Sequence, residues 1–485
     1  MDYRELTLLQ LHEALLKGDI NPLELTKEVL KNAKADDHNA FEYISEEEAY
    51  TAVEQLKDKD KNNIMWGIPF VIKDNFATKD ILTTASSDIL KDYKPVFSSE
   101  VYDRLIQAGG IPIGKTTLDE LAMGGSGMTG HKGLTFNPYD KTHKRMAGGS
   151  SCGSAAVAAA GIVPLAIGSD TGDSVRKPAS HTGLVGFKPT WGRISRFGLF
   201  PFATSLDHVA YFTRSVKDSA ATLELLSGRD DKDMTSSEKA VEPYLTKLSN
   251  DVNGIRFAVI EEIFNSIKDE EVKELFLKTI EELKKRGAII NYVSLDMRLC
   301  KAIFPTYFII SSAESTSNNA NLDGIKFGTR CNGESYEEVM RNTRTNGISE
   351  FIRRRFIIGS YSLLRENQED TFLRAQKCRR LIVNAINEIL KNNDVICLPA
   401  APNTAPLFNQ NVDRFSDEYL IADNYLCFGN FAGLPSLTLP MGFINNMPIG
   451  INITGRAFEE QMVLNCSLAV EDITGLENLY AKEAM

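Results

Sequence analysis

Three short stretches carry residue types that could do chemistry together: GIPFVIKD at 67–74, GGSSCGS at 148–154 and GSDTGDSVRKPAS at 168–180. The first ends an apolar, β-branched run on Lys73. The second places Ser150 in a glycine-rich turn. The third puts Ser174 at the end of a strand-to-loop segment. A serine hydroxyl is a weak nucleophile near neutral pH and needs a base within hydrogen-bond reach. A lysine can be that base only where desolvation or nearby positive charge lowers its pKa, and IPFVI supplies an apolar setting. The glycines around Ser150 and before Ser174 let backbone N–H groups converge on one point, as an oxyanion hole requires. Taken singly, such a lysine snorkels to solvent and Ser-Gly clusters make turns. In this order they read as a Ser–Ser–Lys arrangement. Asp173 is the discordant residue, because a carboxylate directly before the nucleophile has the wrong charge for a developing oxyanion.

The elements that must position these residues follow from periodicity. Residues 5–60 read as helices, with apolar spacing of three and four broken at Gly18–Pro22. GIPFVIKDNF is a buried strand, SSEVYDRLIQAGG a capped helix with a glycine stop, and IPIGKT a second strand. SAAVAAAG is a small-residue helix, and VPLAIGSD is a strand running into the GSDTGDSVR loop. SVKDSAATLELLSG is a further helix. Beyond residue 230 come a charged helix (268–286), a strand (AIINYVSL) and long helices over roughly 333–392. Strand-like runs VICLPA, SLTLPMGF and IGINITG follow. The expectation is an α/β fold with a central mixed sheet covered by helices on both faces, in one domain over 1–485. Within it, 1–60 is an N-terminal helical segment, 61–230 carries the Ser–Ser–Lys site and 231–485 is the remainder.

Two other motif matches fail on context. GSGMTG (125–130) fits G-x-G-x-x-G literally, but TLDELAMG before it reads as helical and HKGLTFNPYD after it is a poor helix start. GSSCG centres on Ser151, but DKTHKRMAG before it is polar and loop-like rather than the strand a nucleophile elbow needs. The net charge of −11 argues against a dedicated nucleic-acid surface. Seven scattered cysteines without a C-x-x-C pair suggest neither a zinc ribbon nor a disulfide framework and fit a reducing compartment. The first residues lack an apolar signal core and no continuous apolar span stands out. The expected location is cytoplasmic, with no membrane association and no metal held by this chain.

The three stretches closely resemble the amidase signature family. Its pattern is a GGSSGGS turn, a GSDTGGSIR loop and an upstream lysine in G-[IV]-P-x-x-[IV]-K-D. The 24-residue interval between Ser150 and Ser174 is the family spacing. The resemblance implies Ser174 as nucleophile, Ser150 as a bridging serine on a cis peptide and Lys73 as base. The amides of Thr171, Gly172, Asp173 and Ser174 become the oxyanion donors. Four later blocks narrow the resemblance to the glutaminase subunits of tRNA-dependent amidotransferases: GFKPTWGRISRFGLFPFATSLD (186–207), NLDGIKFGTR (321–330), RTNGISEFIRRRFIIGSYSL (344–363) and NFAGLPSLTLPMG (430–442). That implies hydrolysis of glutamine to glutamate and ammonia in a heterotrimer with B- and C-type subunits. The B-type partner, with ATP and Mg²⁺, would convert Glu-tRNA(Gln) to Gln-tRNA(Gln). By the same resemblance Arg354, with Arg355 beside it, grips the substrate carboxylate, Asp423 its ammonium, and Tyr307 stands next to it. Arg176 is support. The competing readings are a free-standing amidase acting on another amide and an impaired scaffold subunit.

Three positions depart from the pattern. Cys152 replaces a glycine, harmless if its φ is negative. Met128 stands where these subunits carry a glutamate. Asp173 replaces the glycine before the nucleophile, and the expectation is a carboxylate turned away and paired with Arg176 or Lys177.

Overall fold

The longest apolar runs become the strands of one mixed sheet. The computed structural model describes residues 2–482. Its strands are β1 (Phe41–Ile44), β2 (Pro69–Lys73), β3 (Ile111–Thr116), β4 (Leu165–Asp170), β5 (Val185–Lys188), β6 (His208–Thr213), β7 (Arg256–Ile260), β8 (Ile289–Val293), β9 (Val395–Pro399), β10 (Ser436–Ile444) and β11 (Met447–Gly455). They lie in the order β1-β3-β2-β4-β6-β5-β10-β11-β9-β7-β8. Every residue of β2, β3, β4, β5, β6, β9 and β11 is buried. Successive side chains point to opposite faces, so both faces of the sheet are covered. The late strands join the early ones directly: β10 pairs antiparallel with β5 and β11 with β9. The result is the expected α/β architecture in a single domain.

This topology places the candidate residues at the C-terminal ends of two neighbouring inner strands. β2 and β4 are parallel neighbours, with Ile72 opposite Ile167. β2 ends on Lys73 and β4 on Asp170, so the loops that leave them emerge side by side. The small-residue helix Cys152–Ala159 is buried along its whole length. Its alanines let it lie close against β4, and Ser154 Oγ donates to Ile167 O at 2.9 Å. The helix Arg176–Thr182, also wholly buried, closes the other side of the loop.

Four elements are not legible from periodicity. β1 interrupts the stretch that reads as all helix. Only four residues long, it is held by pairing with β3 across an irregular register. β6 and β7 are likewise strands that the sequence reading does not assign. The helix Met297–Asn318 contains Pro305 and four serines. Proline within a helix and serines that bond back to the preceding turn both weaken the helical signal; Ser315 Oγ and Thr316 Oγ1 donate to Ser312 O at 3.0 and 2.8 Å. Conversely, TLDELAMG is not a helix. Only Glu120–Ala122 forms a single tight turn, and Leu121 and Ala122 are left-handed at φ 52° and 62°.

Candidate active site

Lys73 is fully buried where β2 ends. Its Nζ donates to Ser150 Oγ at 2.8 Å and to Ser169 Oγ at 2.9 Å. Asn75 Nδ2 donates to the same Ser169 hydroxyl at 3.0 Å. The partners of the amine are these two hydroxyls and, at 3.5 Å, the Ser169 carbonyl; none is a carboxylate. Burial pulls the Lys73 pKa down to about 7, with the carboxylates of Asp119, Asp170 and Asp207 offsetting only part of the shift. A lysine so depressed has the pKa that a base near neutral pH needs.

The peptide bond between Gly149 and Ser150 is cis. Ser151 follows, and its N–H donates to Ser174 O at 3.2 Å, tying the serine turn to the second loop. Ser151 Oγ is consumed by Ser169 O at 3.1 Å, which is a structural role and not that of a nucleophile. Ser174 is buried, and its Oγ makes no hydrogen bond within the described residues. The Lys73–Ser150 link is therefore formed, while the hydroxyl of Ser174 is uncommitted.

The loop 171–174 is braced from behind. Arg176 forks onto Asp170, with Nε to Oδ2 at 3.1 Å and Nη2 to Oδ1 at 2.8 Å. It also donates to Gly172 O at 2.7 Å, Leu426 O at 2.9 Å and Asn430 Oδ1 at 2.6 Å. Burial would favour a neutral Asp170, but Arg176 outweighs it and holds the carboxyl well below its ordinary range. Asp170 Oδ2 in turn accepts from Val175 N at 3.0 Å. Thr171 Oγ1 donates to Asp207 Oδ1 at 2.7 Å. Among the described residues, the N–H groups of Thr171, Gly172, Asp173 and Ser174 donate to no protein acceptor. Four consecutive N–H donors in this loop are thus left available to a ligand, as an oxyanion site requires.

The G-x-G-x-x-G stretch does cradle an anion, but an internal one. Asp119 accepts from the N–H groups of Ser126, Gly127, Met128 and Thr129 at 3.0–3.2 Å, and from Thr129 Oγ1 at 3.0 Å. Its own N–H donates to Ser150 O at 3.2 Å. A Cβ on Gly149 would lie 2.0 Å from Asp119 Oδ2, so only glycine fits before Ser150. Cys152 opens its helix without left-handed backbone. Met128 is 37% exposed and contributes its N–H to Asp119.

The substrate-side candidates sort differently from expectation. Arg354 is not in the site: its side chain is 71% exposed and pairs with Glu350 one helical turn away. On the helix Glu350–Leu363 the residue that faces inward is Arg355, 5% exposed. One position along a helix rotates a side chain by about 100°, which runs of identical residues conceal. Arg355 Nη2 donates to Ser311 Oγ at 2.9 Å, and its guanidinium lies 4.8 and 5.1 Å from the Phe308 and Phe202 rings. Burial lowers its pKa, and the Tyr307 phenol beside it opposes the shift. Tyr307 packs on the loop, with its ring 2.9 Å from where a Cβ on Gly172 would sit. Asp423 reaches the same region through Lys177, at 3.3 Å. Asp173 pairs with Lys177 Nζ at 2.7 Å, and neither of its oxygens accepts from an N–H of its own loop.

Sequence reasoning names neither Ser169, Asn75 nor Asp119 as a partner of the site. Ser169 and Asp170 lie within the quoted loop motif, but nothing in their spacing says which way they face. Among the described residues, one group of ligand-type side chains, Asp37, His38 and His143, brings its ligand atoms within 4.8 Å of one another; none of the three joins the Lys73 network.

The amidase family model matches residues 24–464. The A subunit of glutamyl-tRNA(Gln) amidotransferase from Pediococcus pentosaceus is 39% identical over 479 residues, covering 98% of each chain. That of Streptococcus sanguinis is 38% identical over 480 residues, covering 98% of this chain and 97% of its own. The crystal structure of the glutamyl-tRNA(Gln) amidotransferase A subunit from Thermotoga maritima superposes with a TM-score of 0.81 at 34% identity, over 100% of this chain and 99% of that one. The native peptide amidase of Stenotrophomonas maltophilia gives 0.84 at 25% identity, over 99% and 100%. The chain belongs to the amidase family, in the branch of the glutamyl-tRNA(Gln) amidotransferase A subunits.

Proposed function

We propose that this chain hydrolyses glutamine as the ammonia-producing subunit of a tRNA-dependent amidotransferase, using Ser174, Ser150 and Lys73. The observation that carries the chemistry is the 2.8 Å contact between Ser150 and a buried lysine whose pKa is pulled down to about 7. Ser174 Oγ attacks the side-chain amide carbon, and its proton passes through Ser150 Oγ to neutral Lys73. The amides of residues 171–174 receive the oxyanion. Lys73 returns the proton to the leaving nitrogen, so that ammonia departs and a glutamyl ester remains on Ser174. Water then cleaves the ester by the same relay, giving glutamate and free Ser174.

Arg355, rather than Arg354, receives the substrate carboxylate, since it is the arginine beside Tyr307 and the loop. Its planar fork suits a carboxylate, and its buried Nε has no partner among the described residues. Asp423 receives the ammonium. Ammonia leaves for a B-type partner, where ATP and Mg²⁺ activate the glutamate of Glu-tRNA(Gln), with a C-type partner completing a heterotrimer. The names of the relatives and the acidity of this chain support that division of labour. Among the described residues no helix is long and apolar enough to cross a membrane; the proposed location is cytoplasmic.

The test is amide-donor turnover by this chain alone and after reconstitution with B- and C-type partners. Glutamine hydrolysis that rises on assembly, and is lost in Ser174→Ala while ammonia-dependent amidation persists, supports the reading. Turnover of other amides without any partner supports a free-standing amidase. A complex inert towards glutamine supports the scaffold alternative.

A further inference from the structure

Asp173 directly precedes Ser174, and Lys177 lies four residues after Asp173, in the first turn of the helix Arg176–Thr182. Both side chains are largely buried, 13% and 8% exposed, and they meet at 2.7 Å. Lys177 N also donates to Asp173 O at 2.9 Å. On its other side Lys177 Nζ lies 3.3 Å from Asp423. Three charges thus stand in a row, carboxylate, ammonium, carboxylate, with a net charge of −1. One end of the row adjoins the nucleophile, and the other is the carboxylate assigned above to the substrate ammonium.

Each member of the inner pair would be harmful alone. Taking about 5 Å between a free carboxylate at 173 and the oxyanion, acylation would slow by roughly a hundredfold at an effective dielectric of about 20. A lysine at 177 without Asp173 would spend its whole charge on Asp423 and cancel the attraction for the substrate ammonium.

We propose that Asp173 and Lys177 are a matched pair of positioning residues: Lys177 holds the Asp173 carboxylate off the oxyanion, and Asp173 keeps Lys177 from neutralising Asp423. This rests on the glutaminase reading above. It predicts that the two single losses damage different kinetic constants and that the double loss repairs both.

The experiment is a double-mutant cycle on glutamine hydrolysis by the reconstituted complex. Lys177→Gln is expected to lower kcat by about a hundredfold with KM little moved. Asp173→Gly is expected to raise KM for glutamine by roughly tenfold, more than it changes kcat. The double variant should recover at least tenfold in kcat over Lys177→Gln and most of the KM. Lys177→Arg, which keeps the charge, should hold most of the activity even if Lys177→Gln folds poorly. A glutamine analogue lacking the α-ammonium should show no KM penalty in Asp173→Gly, a distinction that a purely structural role would not produce. Losses that simply multiply in the double variant, or two harmless single changes, would overturn the pair. A parent complex that fails to hydrolyse glutamine sinks the glutaminase reading itself; an active parent without coupling sinks only the pair.

Discussion

Two buried lysines stand side by side on neighbouring strands, and they do opposite things. Lys73 ends β2. Lys115, on β3, lies opposite Ile72. Both are within 1% of full burial. Lys73 meets hydroxyls. Lys115 meets the Asp74 carboxylate at 3.0 Å, the Thr78 and Thr83 hydroxyls at 2.9 Å and Phe76 O at 3.0 Å. Burial pulls down both lysine pKa values; for Lys115 the adjacent carboxylate pulls back. Asp74 is itself anchored by Thr84, through its N–H at 2.7 Å and Oγ1 at 2.6 Å. The comparison teaches that burial alone does not make a lysine a base. Lys73 differs in meeting the Ser150 hydroxyl with no carboxylate in contact, the setting proposed above for a base.

The sharpest break in this contrast is to delete each amine's role in turn. Lys73→Met should cost roughly 10³-fold in glutaminase turnover, the typical worth of a positioned general base. Stability should hold or rise, because an amine with no counter-ion leaves the core. Asp74→Asn strips Lys115 of its partner and should lower unfolding stability by about 3 kcal/mol, read from the urea midpoint. Equal damage to stability from both changes would erase the distinction between base and strut.

The next test reads the base directly. Burial depresses the Lys73 pKa from its ordinary value to about 7, and the competent form is the deprotonated one. Turnover should therefore fall about tenfold per pH unit below about 7 and level off above it in a kcat/KM profile. Had Lys73 a carboxylate partner like that of Lys115, the rise would come at distinctly higher pH. A flat profile between about pH 5.5 and 8 would falsify the assignment of Lys73 as base.

That contrast is only half visible in the sequence. GIPFVIKD and IPIGKT both read as strands with a lysine at or near the end, and both are. IPFVI offers Lys73 an apolar setting, but its link to Ser150 is legible only from the three stretches taken together and from the family resemblance. The partner of Lys115 is Asp74, the residue directly after Lys73, and no spacing rule says that it turns towards the neighbouring strand. Arg354 and Arg355 show the same limit. RRR fixes a basic stretch of helix, but which guanidinium points inward depends on the helix rotation that packing sets. Asp173 is a further case. The mismatch with the loop pattern is plain, and so is the lysine four residues on; the second contact of that lysine, to Asp423, joins segments far apart in the chain. Periodicity carries the strands and the amphipathic helices. It fails where serine and proline dilute the pattern, as in Met297–Asn318, and where a single carboxylate organises a loop, as Asp119 does.

A milder perturbation asks whether the hydroxyls around Lys73 are equivalent. Ser169→Ala removes the contact shared with Asn75 but leaves Ser150. The amine keeps its route to the nucleophile and loses one anchor, so kcat should fall by about tenfold, in keeping with one buried hydrogen bond. The pH midpoint should move little, since no charge is gained or lost. A loss as large as that from Lys73→Met would mean that Ser169, and not Ser150, carries the proton.

The smallest effect is expected from Cys152→Gly, which restores the glycine of the family pattern. Cys152 begins its helix with ordinary backbone, and its Sγ lies 3.7 Å from Thr117 O. Burial pushes the thiol pKa up to about 12, so near neutral pH it brings no charge to Lys73. Glycine in the first turn should cost up to about 1 kcal/mol in stability, from added backbone freedom. The kinetic midpoint near pH 7 should stay in place, because the groups that touch the amine are unchanged. A midpoint shifted by half a unit or more would show that the thiol belongs to the environment of the base, and the contrast between the two lysines would then rest on sulfur as well as on the missing carboxylate.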